Sequence, residues 1–186
     1  SWTEGFKGGG FDPRMNIVGS KLTLDKAKQG FLPEQISTFE IGLKSAFAKN
    51  TVLTNVAVFH SDYKEVQIPG SVAIDTNGDG KDDSFAGVTT NAGKAKIDGI
   101  ELEATARLTD AFSMSGMFSY IDAKYTKYIG AGNIDVANLR VFQNTPKQTA
   151  SIRANYDWDM AMLGNSGKLT LSSGLAFRGK TYQFET

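Results

Sequence analysis

Alternation with a period of two residues runs through most of this chain, and that period belongs to strands with two unlike faces rather than to helices. Over 38–48 the odd positions Phe39, Ile41, Leu43 and Phe47 are apolar, while the even positions carry Glu40 and Lys44. The cleanest stretch is 100–108, where Ile100, Leu102, Ala104, Ala106 and Leu108 alternate with Glu101, Glu103, Thr105 and Arg107. Phe112, Met114, Phe118 and Tyr120 then alternate with Ser113, Ser115, Met117 and Ser119. Ala150, Ile152, Ala154, Tyr156 and Trp158 alternate with Arg153, Asn155 and Asp157, and Leu169, Leu171, Leu175 and Phe177 with Lys168, Thr170, Ser172 and Arg178. Over 53–64 the pattern is weaker: Leu53, Ala57, Phe59 and Tyr63 are assigned to one side and His60, Asp62 and Lys64 to the other, against the irregular Val52, Asn55, Val56 and Val58. Six strands are predicted.

The connections alternate in length. Short turns are expected at Lys49-Asn50, Thr109-Asp110 and Gly164-Asn165-Ser166-Gly167, and long glycine-rich polar segments at 8–33, 69–89 and 128–145. An up-and-down membrane barrel has this asymmetry, with short periplasmic turns and long extracellular loops. Phe39, Phe47, Phe59, Tyr63, Phe112, Tyr120, Tyr156, Trp158 and Phe177 lie near strand ends, where interfacial aromatic girdles belong. The predicted fold is therefore all-β, an antiparallel transmembrane β-barrel segment. No apolar run reaches the roughly 18 residues of a membrane helix, but a spanning strand needs only about 9 to 11. A soluble sandwich also alternates; the long strands, the charges on their polar faces and the alternating loop lengths favour the barrel.

Charge and composition then remove several functions. The formal net charge is +0, so nothing attracts nucleic acid by charge alone. There is no cysteine and one histidine, which excludes thiolate metal sites and cysteine nucleophiles. His60-Ser61-Asp62 invites a catalytic reading, but alternation sends Ser61 to the opposite face from its neighbours, so no triad can assemble and no enzyme is expected. The first residues have neither the basic start nor the apolar stretch of a signal peptide, as expected of a processed chain or an internal piece.

Particular blocks carry more than periodicity. Asn91-Ala92-Gly93-Lys94-Ala95, followed by Gly99-Ile100-Glu101-Leu102-Glu103, resembles a stretch of TonB-dependent receptor barrels. Gly5-Phe6-Lys7-Gly8-Gly9-Gly10-Phe11, Pro33-Glu34 with Phe39-Glu40-Ile41-Gly42-Leu43-Lys44, 59–67 and Asn144-Thr145-Pro146-Lys147 resemble further blocks of that family in order and spacing. The resemblance implies a plugged barrel of roughly 22 strands in the bacterial outer membrane. It also implies a receptor that binds a scarce nutrient (a siderophore-bound iron, cobalamin or a saccharide) and imports it with energy passed on by TonB. Residues 1–186 are expected to be a partial barrel domain, with the plug and the C-terminal barrel strands outside the chain. Outer-membrane lipid, the plug, the TonB complex and a small nutrient are the expected partners. A passive porin or channel is the alternative.

Candidate lumen-facing residues, for plug or substrate contact, are Glu40, Lys44, His60, Asp62, Lys64, Glu101, Glu103, Arg107, Arg153, Asp157 and Arg178. No cofactor is required, but Asp75, Asn77, Asp79 and Asp83 have part of the spacing of a calcium loop in what would be an extracellular segment. Position twelve is Ala86 where a bidentate Glu is normally needed, so that loop is incomplete. Loop aromatics Phe11, Phe31, Phe85, Tyr125, Tyr128 and Phe142 are candidate ligand contacts.

Overall fold

The computed structural model describes residues 1–12, 28, 30–130, 134–162 and 165–184. Seven strands form one antiparallel sheet in chain order: β1 (Trp2–Lys7), β2 (Glu34–Phe47), β3 (Val52–Ile74), β4 (Ser84–Arg107), β5 (Phe112–Tyr128), β6 (Gln148–Met162) and β7 (Asn165–Arg178). The six expected strands are all present. β1 was not expected, because its six residues include Gly5 and show little alternation; pairing with β2 holds it.

Residues directly opposite in an antiparallel pair share a face, so the register assigns both sides of the sheet. Ile41 lies opposite Val58, Val58 opposite Ile100 and Ile100 opposite Tyr120. One level towards the short turns, Leu43, Val56, Leu102, Phe118, Ala150 and Phe177 form another row. A continuous apolar face results, and it lies open: Leu43 is 65% exposed and Leu171 72%. The other face carries Glu40, Lys44, Asn55, Glu101, Glu103, Arg153 and Asp157.

This register corrects one strand. His60 lies opposite Phe39 and Asp98, Asp62 opposite Ser37 and Lys96, and Lys64 opposite Gln35. These three residues therefore stand on the apolar side of the sheet, and Phe59 and Tyr63 stand on the polar side, the reverse of the expectation. The cause is that β3 has apolar residues at both parities, so only pairing with the unambiguous β2 and β4 decides its faces. Phe59 accordingly leaves the aromatic girdle and lies over Gly99, where an added Cβ would collide with its ring. Tyr63 leaves the girdle as well.

The long connections also differ from expectation. The segment expected as a loop over 69–89 is mostly paired strand, from Ile68↔Thr90 to Ile74↔Ser84, with only 75–83 left to turn. Pro69 is tolerated because β2 stops pairing with β3 at Lys64, and beyond that point β3 is an edge that can spare an amide. Phe85, Tyr125 and Tyr128 thus lie in strands rather than in loops. Pairing of Met162 with Asn165 puts Asn165, Ser166 and Gly167 of the expected turn inside β7; its remaining position, 164, lies outside the described residues, as does most of 8–33. At 48–51 the turn matches expectation, with Ala48, Lys49 and Asn50 all at positive φ. Among the described residues no helix is long and apolar enough to cross a membrane.

Buried residues collect at the end of the sheet with the long connections. Val66, Ile68 and Tyr128 pack with Tyr63, Tyr125, Val136 and Ala137, on the side of the sheet that carries the polar face. Gly93 permits this, since a Cβ there would lie 2.9 Å from Ile68 Cδ1.

Candidate functional site

The polar face between the short turns and the buried cluster is a wall of charges with both signs interleaved. Some are engaged within the sheet. Asn55 donates to Glu103 at 3.4 Å, Thr170 donates to Asp157 at 2.8 Å, Lys168 lies 3.8 Å from Asp157, and Ser172 donates to Asn155 at 2.8 Å. Arg107 reaches Asp110 in the adjacent turn at 3.7 Å. Arg178 donates from Nη2 to the Asn144 carbonyl at 3.1 Å, so it clasps the return of the β5–β6 connection onto β7. The side chains of Glu40, Lys44, Glu101 and Arg153 are exposed and make no hydrogen bond or ion pair with other described residues.

Above this wall Glu34 organises the base of the loops. Its carboxylate is buried and accepts from Tyr63 Oη at 2.6 Å and from the Gln67 amide at 2.8 Å, with Lys7 Nζ at 3.7 Å. The Gln67 side chain donates to the carbonyls of Gly8 and Leu32, while Asn91 donates to those of Leu32 and Glu65 and accepts from the Leu32 amide. The start and end of the β1–β2 connection are thereby tied to a bulge in β3, where Glu65 takes a positive φ. Alternation alone did not reveal this node; the hint was a carboxylate directly after Pro33, at the head of a strand.

The loop aromatics divide. Tyr128 is buried, with the Arg140 guanidinium 5.2 Å from its ring centroid, and Tyr125 stacks on Phe142 at 4.4 Å. Phe11 and Phe85 are open to solvent, and the Phe31 ring lies over Gly10. Beside the stacked pair, a hollow of about 300 Å³ is lined by Ile121, Ala123, Val141, Phe142 and Tyr182. Ile121 and Ala123 belong to the polar-face side of β5, so this hollow opens on the same side as the wall.

Asp135 and Asp75 order the connections. The amides of Tyr128 and Ala137 donate to Asp135, each at 3.0 Å, and hold its carboxyl below the usual range. Asp75 accepts from the amides of Gly80 at 2.8 Å, Gly78 at 2.7 Å and Asn77 at 3.2 Å, which likewise lower it. Asp83 is engaged by Thr76 and Asp79 by Asn77 and Lys81. Asp75, Asn77, Asp79 and Asp83 thus direct their oxygens to their own loop, and a calcium ion would have to compete with these amides. Among the described residues no three acidic or histidine side chains converge as a metal group.

His60 and Asp62 lie 3.6 Å apart, and Ser61 points the other way, sharing a 2.8 Å hydrogen bond with Thr38. The triplet therefore stays divided between the two faces, as alternation required.

A family model described as TonB dependent receptor-like, beta-barrel matches residues 1–186. The chain belongs to this family of outer-membrane barrels. It is 27% identical over 166 residues to a probable TonB-dependent siderophore receptor, PiuA, of Acinetobacter baumannii, covering 86% of the chain and 20% of that protein. It is 27% identical over 134 residues to the metal-pseudopaline receptor CntO of Pseudomonas aeruginosa, covering 72% of the chain and 16% of CntO. Among solved structures, the ferric yersiniabactin uptake receptor FyuA of Yersinia pestis superposes with a TM-score of 0.65 at 22% identity, over 98% of this chain and 23% of that one. The PiuA structure gives 0.61 at 23% identity, over 99% and 24%. The chain thus spans about a fifth of the length of the curated relatives it matches. In a TonB-dependent receptor barrel the open apolar face is the lipid-facing surface and the charged face looks into the lumen.

Proposed function

We propose that this chain is part of the wall of an outer-membrane receptor that takes up a metal-bearing siderophore with energy supplied through TonB. The observation that carries the reading is the lumenal quartet Glu40, Lys44, Glu101 and Arg153, exposed charges of both signs without partners in this sheet. Such charges suit contact with a separate body in the lumen, namely the receptor's own plug. The relatives support the cargo class, since one is named a siderophore receptor and another a metal-pseudopaline receptor. The hollow beside Tyr125 and Phe142 would contribute to the extracellular vestibule, where aromatic planes can meet a flat chelate. A passive porin is not favoured, because the named relatives are receptors.

The test is uptake of radiolabelled iron by cells that produce the full-length protein as their sole siderophore receptor, with and without functional TonB. Accumulation from one siderophore class that stops when TonB is lost is the expected result. Equal uptake without TonB would establish a passive channel instead.

A further inference from the structure

The tip between β3 and β4 carries Asn77-Gly78 and Asp79-Gly80 back to back. A glycine after Asn or Asp leaves its backbone nitrogen unshielded by a Cβ, so that nitrogen can attack the preceding side-chain carbon. At Asn77 the Gly78 nitrogen would give its proton to hydroxide and bond to Cγ. The Cγ–Nδ2 bond would break, and the departing nitrogen, protonated by water, would leave as ammonia. Water then opens the five-membered imide at either carbonyl, leaving aspartate or isoaspartate at 77. At Asp79 the Gly80 nitrogen would attack the protonated carboxyl, water would leave and water would reopen the ring, so only the backbone linkage changes. All four residues are exposed, and the space beside Gly78 and Gly80 is open.

One carboxylate meets both attacking nitrogens. The Gly78 amide donates to Asp75 Oδ1 at 2.7 Å and the Gly80 amide to Asp75 Oδ2 at 2.8 Å, one on each oxygen. Asp75 is buried beneath the exposed tip, and its amide partners keep the carboxyl ionised at neutral pH. The two side chains under attack are held as well. Asn77 Oδ1 accepts from the Asp79 amide at 2.9 Å, and Asn77 Nδ2 donates to Asp79 Oδ2 at 3.3 Å. Asp79 Oδ1 accepts from the Lys81 amide at 2.8 Å.

We propose that Asp75 is a protective residue: by capping both glycine nitrogens it keeps Asn77 from deamidating and Asp79 from isomerising in a loop that stands in the external medium. Taking the proton from the Gly78 nitrogen would set a second negative charge 2.7 Å from the Asp75 carboxylate, and like charges at that distance repel strongly. Turning the amide towards Asn77 Cγ instead would strip a buried carboxylate of a hydrogen bond. The same two costs apply at Gly80. Asn77 is therefore a latent modification site that Asp75 keeps closed. Its reaction would add a negative charge to the tip, and in the isoaspartate product an extra backbone carbon that displaces Gly78 and Gly80 from Asp75. This role belongs to the tip alone and is independent of the cargo.

The experiment ages the intact, folded receptor in detergent at neutral pH and, in parallel, the same protein unfolded in guanidinium. Peptide mass spectrometry follows deamidation at Asn77 and isoaspartate at Asp79, and digestion in heavy-oxygen water marks any reaction that occurs during handling. The folded wild type is expected to react at Asn77 at least about tenfold more slowly than the unfolded chain, the factor expected of a hydrogen bond to a charged group. Asp75→Ala should bring the folded receptor close to the unfolded rate. Asp83→Ala removes the contacts of Thr76 but leaves both glycine amides on Asp75, so it should keep the wild-type rate. Heat-modifiable gel mobility verifies that each variant is folded. Equal rates in folded and unfolded wild type, no acceleration in Asp75→Ala, or equal acceleration in Asp83→Ala would each overturn the proposal. If Asp75→Ala does not fold, the wild-type comparison of folded and unfolded chains still decides.

Discussion

The two ends of this sheet are stabilised in different ways. Between the short turns and the level of Ile100, both faces are open within the chain: Ile41, Leu43, Leu102 and Leu175 look out from one side, and Glu40, Lys44, Glu101 and Arg153 from the other. At the end with the long connections, Glu34, Ser61, Val66, Ile68, Ile74, Ala86, Ala95 and Tyr128 are all buried. A membrane wall borrows its surroundings, lipid outside and the lumen's contents inside, so its strands need only alternate. Loops standing in water must make their own core, and here they do so with aromatic packing and the Glu34 node. Alternation and burial therefore report different things in this protein, and the first is not evidence of the second.

The contrast can be broken most severely by placing a charge in the band. Leu102→Arg should hinder assembly by about 2 to 4 kcal/mol near the midplane, while Glu103→Gln on the lumenal face should stay within about 0.5 kcal/mol. The fraction of full-length receptor showing heat-modifiable mobility after refolding into vesicles measures both, and equal tolerance would mean that the faces are wrongly assigned.

Next in size is the self-made core. Glu34→Ala leaves the Tyr63 hydroxyl and the Gln67 amide without their acceptor, a loss of roughly 1 to 3 kcal/mol that should appear as faster hydrogen exchange at Gln67 and Asn91 but not at Leu102. A comparable effect is expected where lumenal packing dips into the membrane level. Gly99→Ala pushes against the Phe59 ring and should cost about 1 to 3 kcal/mol, and Phe59→Ala should remove most of that penalty in the double variant.

The smallest effect concerns the 75–83 tip, which sharpens the comparison because it has neither lipid nor core. Backbone amides, Gly80 first, hold the Asp75 carboxyl below its ordinary range. A lowered folded value contributes order above the unfolded value of about 4 and loses it as pH falls through the folded one. Tip amide resonances of Gly78 and Gly80 should therefore stay constant from neutral pH to about 4 and change only below it. Asp75→Asn should give a tip that is insensitive to acid. A calcium titration of the same resonances tests the spacing at Asp75, Asn77, Asp79 and Asp83: movement of Gly80 would show Asp75 exchanging its amides for the ion.

Much of this was legible from residue types. Strands β2, β4, β5, β6 and β7 announce themselves because, between the short turns and the level of Ile100, each gathers most of its apolar residues at one parity, and the alternation of short and long connections implies which end faces the periplasm. The blocks around Asn91 and Gly99 carried the family. Four of the candidate lumenal charges, Glu40, Lys44, Glu101 and Arg153, stand where alternation put them, as do Glu103, Arg107, Asp157 and Arg178. The side of His60, Asp62 and Lys64 was not legible, because Val52, Val56 and Val58 compete with Leu53, Ala57 and Phe59 for the same face. Only the match of Val58 with Ile41 and Ile100 settles it. Nor could spacing show that Arg178 clasps Asn144, or that 69–89 continues as paired strand. Periodicity is a local property written into the chain, so it fixes what each strand is; register and loop return are agreements between distant segments, so only the assembled sheet decides which way an ambiguous strand faces and what its neighbours touch.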